Sequence, residues 1–485
     1  MSTRRSLVFS FIDRYASLAI GIVSSMIIAR LLTPAEIGIF SVAMVLIALL
    51  STVRDMGAGQ YLLQEKDLTR DRIRAVWSVQ LGLGILLAAV VLGLSSPAAA
   101  FYGEPRIQSI MQLLALNYLI NPLGSVTYAW LMREMRYDAI AIVRFSATLG
   151  GAVTSVLLAL RGYGPISLAW GSLASTLCNA GVSVFFRPRD YPWMPGLREL
   201  RRVFSFGSKV TGASIAASIS YGAPEFLLGK LQSLEAAGLF SRAQGLVSMF
   251  SRLVSDAVYP VALSLFAKEL RESHSTASSF IKALSYITVL SWSFAIALIF
   301  LAHPVIRLLY GDQWDQSVDL ARLLAFAMAL ASPVPLCNTA LLAGGAATKT
   351  LKSTLVTVAL TVPFVAAGAL FGLPYLGVAL VVSAAISVTV WLSSAHTVVK
   401  FDWNTLGAEL GKSMIVAIAA GIAPACAFWA WGANPAQLWM PLATGAVGSG
   451  IGFFASVYAV SHPLKTELNR MTATLARLLI FRTRQ

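Results

Sequence analysis

The strongest constraint on this chain is that its opening segment recurs about 200 residues later, within a long series of apolar runs. Leu31, Gly38, Phe40, Ser41, Ala43, Leu46 and Ser51 align without a gap with Leu231, Gly238, Phe240, Ser241, Ala243, Leu246 and Ser251. Arg30 stands opposite Lys230, and Thr33 opposite Ser233. Upstream, Ser10-Phe11-x-x-Arg14 matches Ser205-Phe206-x-x-Lys209, with five more residues in the second copy before the main match. Many transporters are duplicated membrane bundles whose substrate path runs at the seam between halves. A cation within an apolar segment in both copies, Arg14 and Lys209, points to an anionic substrate.

The apolar runs exclude a soluble fold. The chain is 57% hydrophobic and 12% charged, with mean hydropathy +0.73, against about 25% charged residues in soluble domains. A spanning helix takes about 20 mostly apolar residues. Fourteen such segments are present: 8–30, 37–59, 75–96, 107–131, 139–160, 163–186, 204–228, 236–263, 281–302, 320–345, 353–372, 375–398, 410–431 and 438–460. Backbone polar groups in lipid must be satisfied within the element, which selects helices, and the alternating pattern of a membrane barrel is absent. The predicted fold is an all-α polytopic membrane protein.

The formal net charge of +15 does not indicate nucleic acid, because most cations lie in loops, where the positive-inside effect accounts for them. With the N-terminus in the cytoplasm, the basic clusters Lys66 to Arg74, Arg133 and Arg136, Arg187 to Arg202, Lys268 and Arg271, Lys349 and Lys352, and Lys400 all fall on that side. This favours both termini being cytoplasmic. Asp13 and Arg14 interrupt the apolar core that a cleaved signal peptide needs. Cys178, Cys337 and Cys426 are far apart and the four histidines are scattered, so no metal or cofactor site is readable.

The basic, proline-rich stretch 187–203 separates the repeat copies. The expected organisation is an N-terminal lobe at 1–186 (helices 1–6), a cytoplasmic linker at 187–203 and a C-terminal lobe at 204–398 (helices 7–12). Helices 13 and 14 occupy 399–463, and a basic tail 464–485. An offset of six helices relates the two six-helix lobes by an axis along the membrane normal. The tail, alternating Lys465, Arg470 and Arg477 with Leu468, Leu475 and Leu478, reads as an amphipathic helix on the inner leaflet or as a frayed end.

A charge at mid-bilayer costs roughly 2.5–3.5 kcal/mol on insertion scales, so charges within spans need a partner or a watered cavity. Arg14, Arg54, Arg144, Lys209, Arg242 and Arg252 outnumber Asp13, Asp55, Glu225 and Asp256. A cavity with surplus cations suits a phosphate- or carboxylate-bearing substrate. Arg54, Arg144 and Arg242 lie close enough to helix ends to snorkel instead. Arg252 and Asp256, four apart, also fit a local ion pair. The four acids are the candidates for ion pairing or proton coupling. Gly222 and Pro224 in helix 7, Asn121-Pro122 in helix 4 and Pro333-x-Pro335 in helix 10 are predicted kinks, and Gly222 and Pro224 are the candidate hinge.

Ala29-Arg30-Leu31-Leu32-Thr33-Pro34-Ala35-Glu36-Ile37-Gly38-Ile39-Phe40-Ser41 resembles the signature after the first helix of Wzx-type polysaccharide and O-antigen flippases. These form the polysaccharide transporter family of the multidrug/oligosaccharidyl-lipid/polysaccharide (MOP) superfamily. Asp55-Met56-Gly57 and Tyr259-Pro260-Val261 resemble the family's motifs near the ends of helices 2 and 8. The resemblance implies a V-shaped bundle of two lobes around a cationic cavity, with helices 13 and 14 forming a groove for a lipid tail. It implies a flippase, not an enzyme, that moves undecaprenyl-pyrophosphate-linked oligosaccharide across the bacterial inner membrane. A working monomer is expected, with a polysaccharide polymerase and a chain-length regulator as partners. The sodium site of the related lipid II flippases is not expected, since helices 11 and 12 carry no carboxylate. A lipid II flippase, a multidrug extruder of the same superfamily and a membrane-embedded polymerase or acyltransferase are the alternatives.

Overall fold

The computed structural model describes residues 3–54, 61–62, 65, 69–188, 191–192, 195–196, 198–272, 276–432, 434 and 437–470. Side chains are described among these except at 3–14, 53, 201–214, 250–257, 260–261 and 271. The regular structure among the described residues is helical. The helices are α1 (Thr3–Leu31), α2 (Pro34–Arg54), α3 (Arg70–Tyr102), α4 (Arg106–Arg133), α5 (Tyr137–Leu160), α6 (Ile166–Phe185), α7 (Leu200–Leu231) and α8 (Leu234–Arg271). They continue as α9 (Ala277–Tyr310), α10 (Ser317–Ala331), α11 (Val334–Ala343), α12 (Ala347–Phe371), α13 (Leu373–Val399), α14 (Trp403–Trp431) and α15 (Trp439–Ala459). Among the described residues, ten helical spans are long and apolar enough to cross a membrane, α10 and α11 together forming one of them. The protein is a multi-pass membrane protein.

Helix ends follow local chemistry. Thr33 and Glu36 form a capping box at the start of α2: Thr33 N–H donates to Glu36 Oε2 at 2.9 Å and Glu36 N–H to Thr33 Oγ1 at 3.3 Å, satisfying two donors the helix leaves open. Pro34 fits the first helical position because its missing N–H is not needed there. At the start of α8, Ser233 Oγ accepts from Ala236 N–H at 3.0 Å. The signature at 33–41 is thus a helix-start device, used twice. Helix α3 outruns its apolar stretch at both ends. It opens on Thr69, whose Oγ1 accepts from Arg72 N–H, and closes on Gly103 at φ +69°, a left-handed position where glycine carries no Cβ penalty.

One of the three predicted proline sites interrupts its helix. Helix 10 is broken between α10 and α11. The Ala329 carbonyl, four residues before Pro333 and so deprived of its helical partner, accepts Trp292 Nε1–H at 2.9 Å. Helices α4 and α7 continue through Pro122 and Pro224.

The helices group into two compact units, Met1–Ser241 and Arg242–Gln485. In the first, α5 packs on α6 and α1, α4 on α3 and α6, and α7 on α2 and α3. Its core gathers Ile39, Ala43, Val91, Ile107, Met111, Leu114 and Tyr118. The described residues between α6 and α7 make defined contacts. Gly196 N–H donates to Ser78 Oγ at 2.7 Å, Arg187 Nη2 donates to Pro192 O at 2.6 Å, and Tyr191 meets Trp130 edge-on.

In the second unit, α9 is central, touching α10, α14 and α15, while α12 pairs with α13. One core joins Phe266, Phe280, Leu336, Cys337, Trp391 and Phe401. A polar node lies at one end of this unit. His462 is 1% exposed. Its Nδ1 accepts from Leu464 N–H at 3.2 Å, so the proton is on Nε2, which donates to Ser285 Oγ at 2.8 Å and lies 3.1 Å from Ser413 Oγ. The node ties α9 and α14 to the chain leaving α15. The tail begins as helix at 464–470, with Leu464 and Leu468 turned into a cluster with Val289, Val416 and Val457.

Candidate functional site

The repeat becomes a physical crossing within the first unit. Gly38 faces the Leu234 carbonyl and Gly238 faces the Pro34 carbonyl, and a Cβ on either glycine would strike backbone. Positions 34 and 234, and 38 and 238, are repeat partners, so the contact is symmetric under the duplication. Helix α7 lies antiparallel on α2 nearby. Gly222 abuts Val45, Gly229 abuts Val42, and the hydroxyls of Thr52 and Ser218 are 2.8 Å apart. The two candidate hinge positions are therefore buried packing positions in this state, with Gly222 required by the closeness of Val45.

Glu225 sits at this crossing. Its carboxyl lies beside the hydroxyls of Ser41 and Ser241, which are repeat partners. The Ser41 hydroxyl is 5% exposed and closes no hydrogen bond of good geometry.

The predicted cations occupy different settings. Arg54 places its guanidinium 5.7 Å from the centre of the Tyr118 ring. That ring is buried and held by its hydroxyl, which donates to Ile47 O at 2.7 Å and lies 3.0 Å from Ser51 Oγ. Arg144 is exposed and stands about 200° around α5 from Ile142 at 100° per residue. Ile142, Leu149, Val153 and Leu157 are exposed apolar residues along one stripe, so Arg144 points away from the lipid-facing side. Arg242 lies 5.7 Å from the centres of both the Tyr310 and Trp314 rings, and Trp314 is wholly buried. Such cation–π placement stabilises by about 0.5–2 kcal/mol, more when desolvated. Asp13, Arg14, Lys209, Arg252 and Asp256 fall within α1, α7 and α8, but these side chains, and Asp55 altogether, lie outside the described residues.

Tyr118, Tyr310, Trp314 and the serine pair were not among the predicted site residues. The signal for the serines was present in the repeat itself. The aromatic partners carry none, because they lie far from their arginines in sequence.

In the second unit, α9 and α15 enclose an apolar groove of about 380 Å³, lined by Leu290, Phe294, Leu298, Leu301, Gly450 and Phe453 among others. The groove is open and offers almost no polar surface, as an aliphatic chain requires. Among the described residues, no three His, Cys, Asp or Glu side chains gather to hold a metal ion.

A family model described as polysaccharide biosynthesis protein matches residues 27–319, a span that contains both copies of the repeat. The chain belongs to this family. The succinoglycan biosynthesis transport protein ExoT of Rhizobium meliloti is 25% identical over 69% of this chain and 67% of its own length. The lipopolysaccharide biosynthesis protein WzxC of Escherichia coli is 22% identical over 63% of each. The fold resembles the lipid II flippase MurJ in an inward closed conformation, with TM-score 0.76 and 12% identity over 94% of this chain and 99% of that one. It also resembles an inward-facing multidrug transporter of the MOP superfamily, with TM-score 0.66 and 14% identity over 81% of this chain and 98% of that one. The chain is thus a member of a polysaccharide biosynthesis family with the fold seen in these MOP-superfamily transporters.

Proposed function

We propose that this protein flips an undecaprenyl-pyrophosphate-linked oligosaccharide from the inner to the outer leaflet of the bacterial inner membrane, for exopolysaccharide, capsule or lipopolysaccharide synthesis. Family membership over residues 27–319 carries this reading, because that span includes the duplicated crossing on which a two-lobed transporter turns. The division of labour follows from the chemistry. Cations within the spans, Arg14 and Lys209 foremost, with Arg54, Arg144 and Arg252, neutralise the pyrophosphate as it crosses the bilayer. Arg242, engaged with two aromatic rings, acts more on the shape of its lobe than on substrate. The groove between α9 and α15 receives the isoprenoid chain, so that only the glycan and pyrophosphate leave the lipid. Both termini are cytoplasmic, the lobes rock by alternating access, and the working form is a monomer that passes its product to a polymerase and a chain-length regulator. No covalent chemistry is required.

Expression in a panel of bacterial strains lacking their own polysaccharide flippase tests this. Restored surface glycan with clearance of the cytoplasm-facing precursor supports it. Membrane-inserted protein that restores none, but rescues a strain depleted of its lipid II flippase, overturns it.

A further inference from the structure

The repeat places one carboxyl where its two copies meet. At the offset of 200 residues Glu225 corresponds to Ser25, so the duplication supplies only one acid at this position, and Ser41 and Ser241 come to it as a related pair. We propose that Glu225, with the Ser41 and Ser241 hydroxyls, is a proton site that couples flipping to a proton gradient. The inference rests on the flippase reading and deepens it.

The argument is one of donors and charge. A hydroxyl both donates and accepts and can rotate, whereas a carboxylate only accepts and a carboxylic acid also donates. Two serines around one carboxyl therefore serve either protonation state without moving the backbone. The orphaned, buried Ser41 hydroxyl is the group that rotation would satisfy. Glu225 is partly exposed here; separating α7 from α2 and the start of α8 would open the carboxyl further to water, and packing them tightly over a bare carboxylate would leave a poorly solvated charge. Closing over the acid avoids that cost. The empty carrier therefore returns only with a proton on Glu225, taken from the side onto which α7 ends and released on the other. The proton moves as a bare transfer to and from water, with no other bond made or broken.

The described charged groups on the elements packed around Glu225 are committed elsewhere. Lys230 of α7 lies over the Phe101 ring and donates to the Phe101 carbonyl. Glu36 of α2 caps Thr33, Arg54 lies over Tyr118, and the Tyr102 hydroxyl of α3 donates to Phe226 O at 3.2 Å. On α8, Glu235 is exposed in the first turn and Arg242 faces Tyr310 and Trp314.

Two measurements on the full chain test the site. The first is infrared difference spectroscopy of the purified protein across a pH series, following the protonated-carboxyl C=O band. A titrating band that disappears in Glu225→Gln, and whose midpoint moves in Ser41→Ala and Ser241→Ala, is expected. Absence of any band assignable to Glu225 overturns the proposal, whether or not the protein proves to be a flippase. The second uses proteoliposomes holding a fluorescent undecaprenyl-diphosphate-linked disaccharide, with its distribution between leaflets read by a membrane-impermeant quencher. One proton per cycle shifts the steady-state ratio by about tenfold for each imposed pH unit. Glu225→Gln should give a ratio near unity at every gradient while still exchanging the probe, and Glu225→Asp should recover part of the shift. A Glu225→Gln protein that follows the pH gradient like wild type overturns the proposal, as does a wild type driven by a sodium gradient alone. A wild type that never moves the probe overturns the flippase reading and leaves the infrared result to judge the site.

Discussion

Lowering the pH should loosen the second unit through one residue, His462. Its imidazole is held neutral between Ser285, Ser413 and the Leu464 amide, and burial pushes its pKa from 6.5 down to about 4, with Glu409 opposing and Lys412 assisting. A lowered native pKa means that the unfolded chain binds the proton first. Stability is then fully present above pH 6.5 and falls until the pH reaches about 4. At about 1.4 kcal/mol per unit the total is about 3 kcal/mol, and the interval from pH 6.5 to 5 accounts for about 2 kcal/mol. At roughly 2–4 °C per kcal/mol, that is a fall of about 4–8 °C in Tm. Labelling of the buried Cys337 thiol on heating reports the loss, in a protein whose partly exposed Cys178 and exposed Cys426 are replaced by serine. His462→Gln keeps an amide donor for Ser285 and removes the titration, so its Tm should change far less over the same interval. Equal pH slopes for wild type and His462→Gln would refute the assignment of the node.

Gly38→Ala and Gly238→Ala each place a Cβ against a backbone carbonyl, and each should cost about 3 kcal/mol or more, seen as loss of monodisperse protein in detergent. Gly103→Ala, at φ +69° with open space around it, should cost only about 1 kcal/mol. Arg242→Met removes the contacts with Tyr310 and Trp314 and should lower stability by about 1–2 kcal/mol, measured by the same thiol assay. Gly450→Leu fills the groove between α9 and α15 and should reduce flipping of a full-length polyprenyl probe far more than that of a short-chain one, without loss of folded protein. Arg14→Ala and Lys209→Ala should each abolish export with folded protein unchanged, and near-normal glycan export from both would remove the cationic cavity from the account.

The sequence was most legible where one physical requirement dominates. Apolar length located the helices, while the caps at Thr33 and Ser233 emerge only in the structure. The repeat is legible for a deeper reason, since Gly38 and Gly238 are kept apart from larger residues by each other's backbone. What stayed hidden depends on contacts between distant segments. Nothing near Arg242 announces Tyr310 or Trp314, and a lone His462 past the last span looks the same whether it is solvated or locked to Ser285 and Ser413. Snorkelling and cavity lining were both open for Arg54. Its contact with Tyr118 could not be read from sequence, since the phenol is fixed by Ser51 and the Ile47 carbonyl. The helix ends differ from the apolar segments where caps and charged turns extend them, as in α3 and α8.

The most direct test of the central claim is to reconstitute the purified protein and follow an undecaprenyl-diphosphate-linked oligosaccharide across the bilayer, with a fluorescent phospholipid in the same vesicles. The account predicts translocation of the oligosaccharide lipid alone, lost in Arg14→Ala. Equal movement of both lipids, or of neither, in vesicles containing folded protein would contradict it.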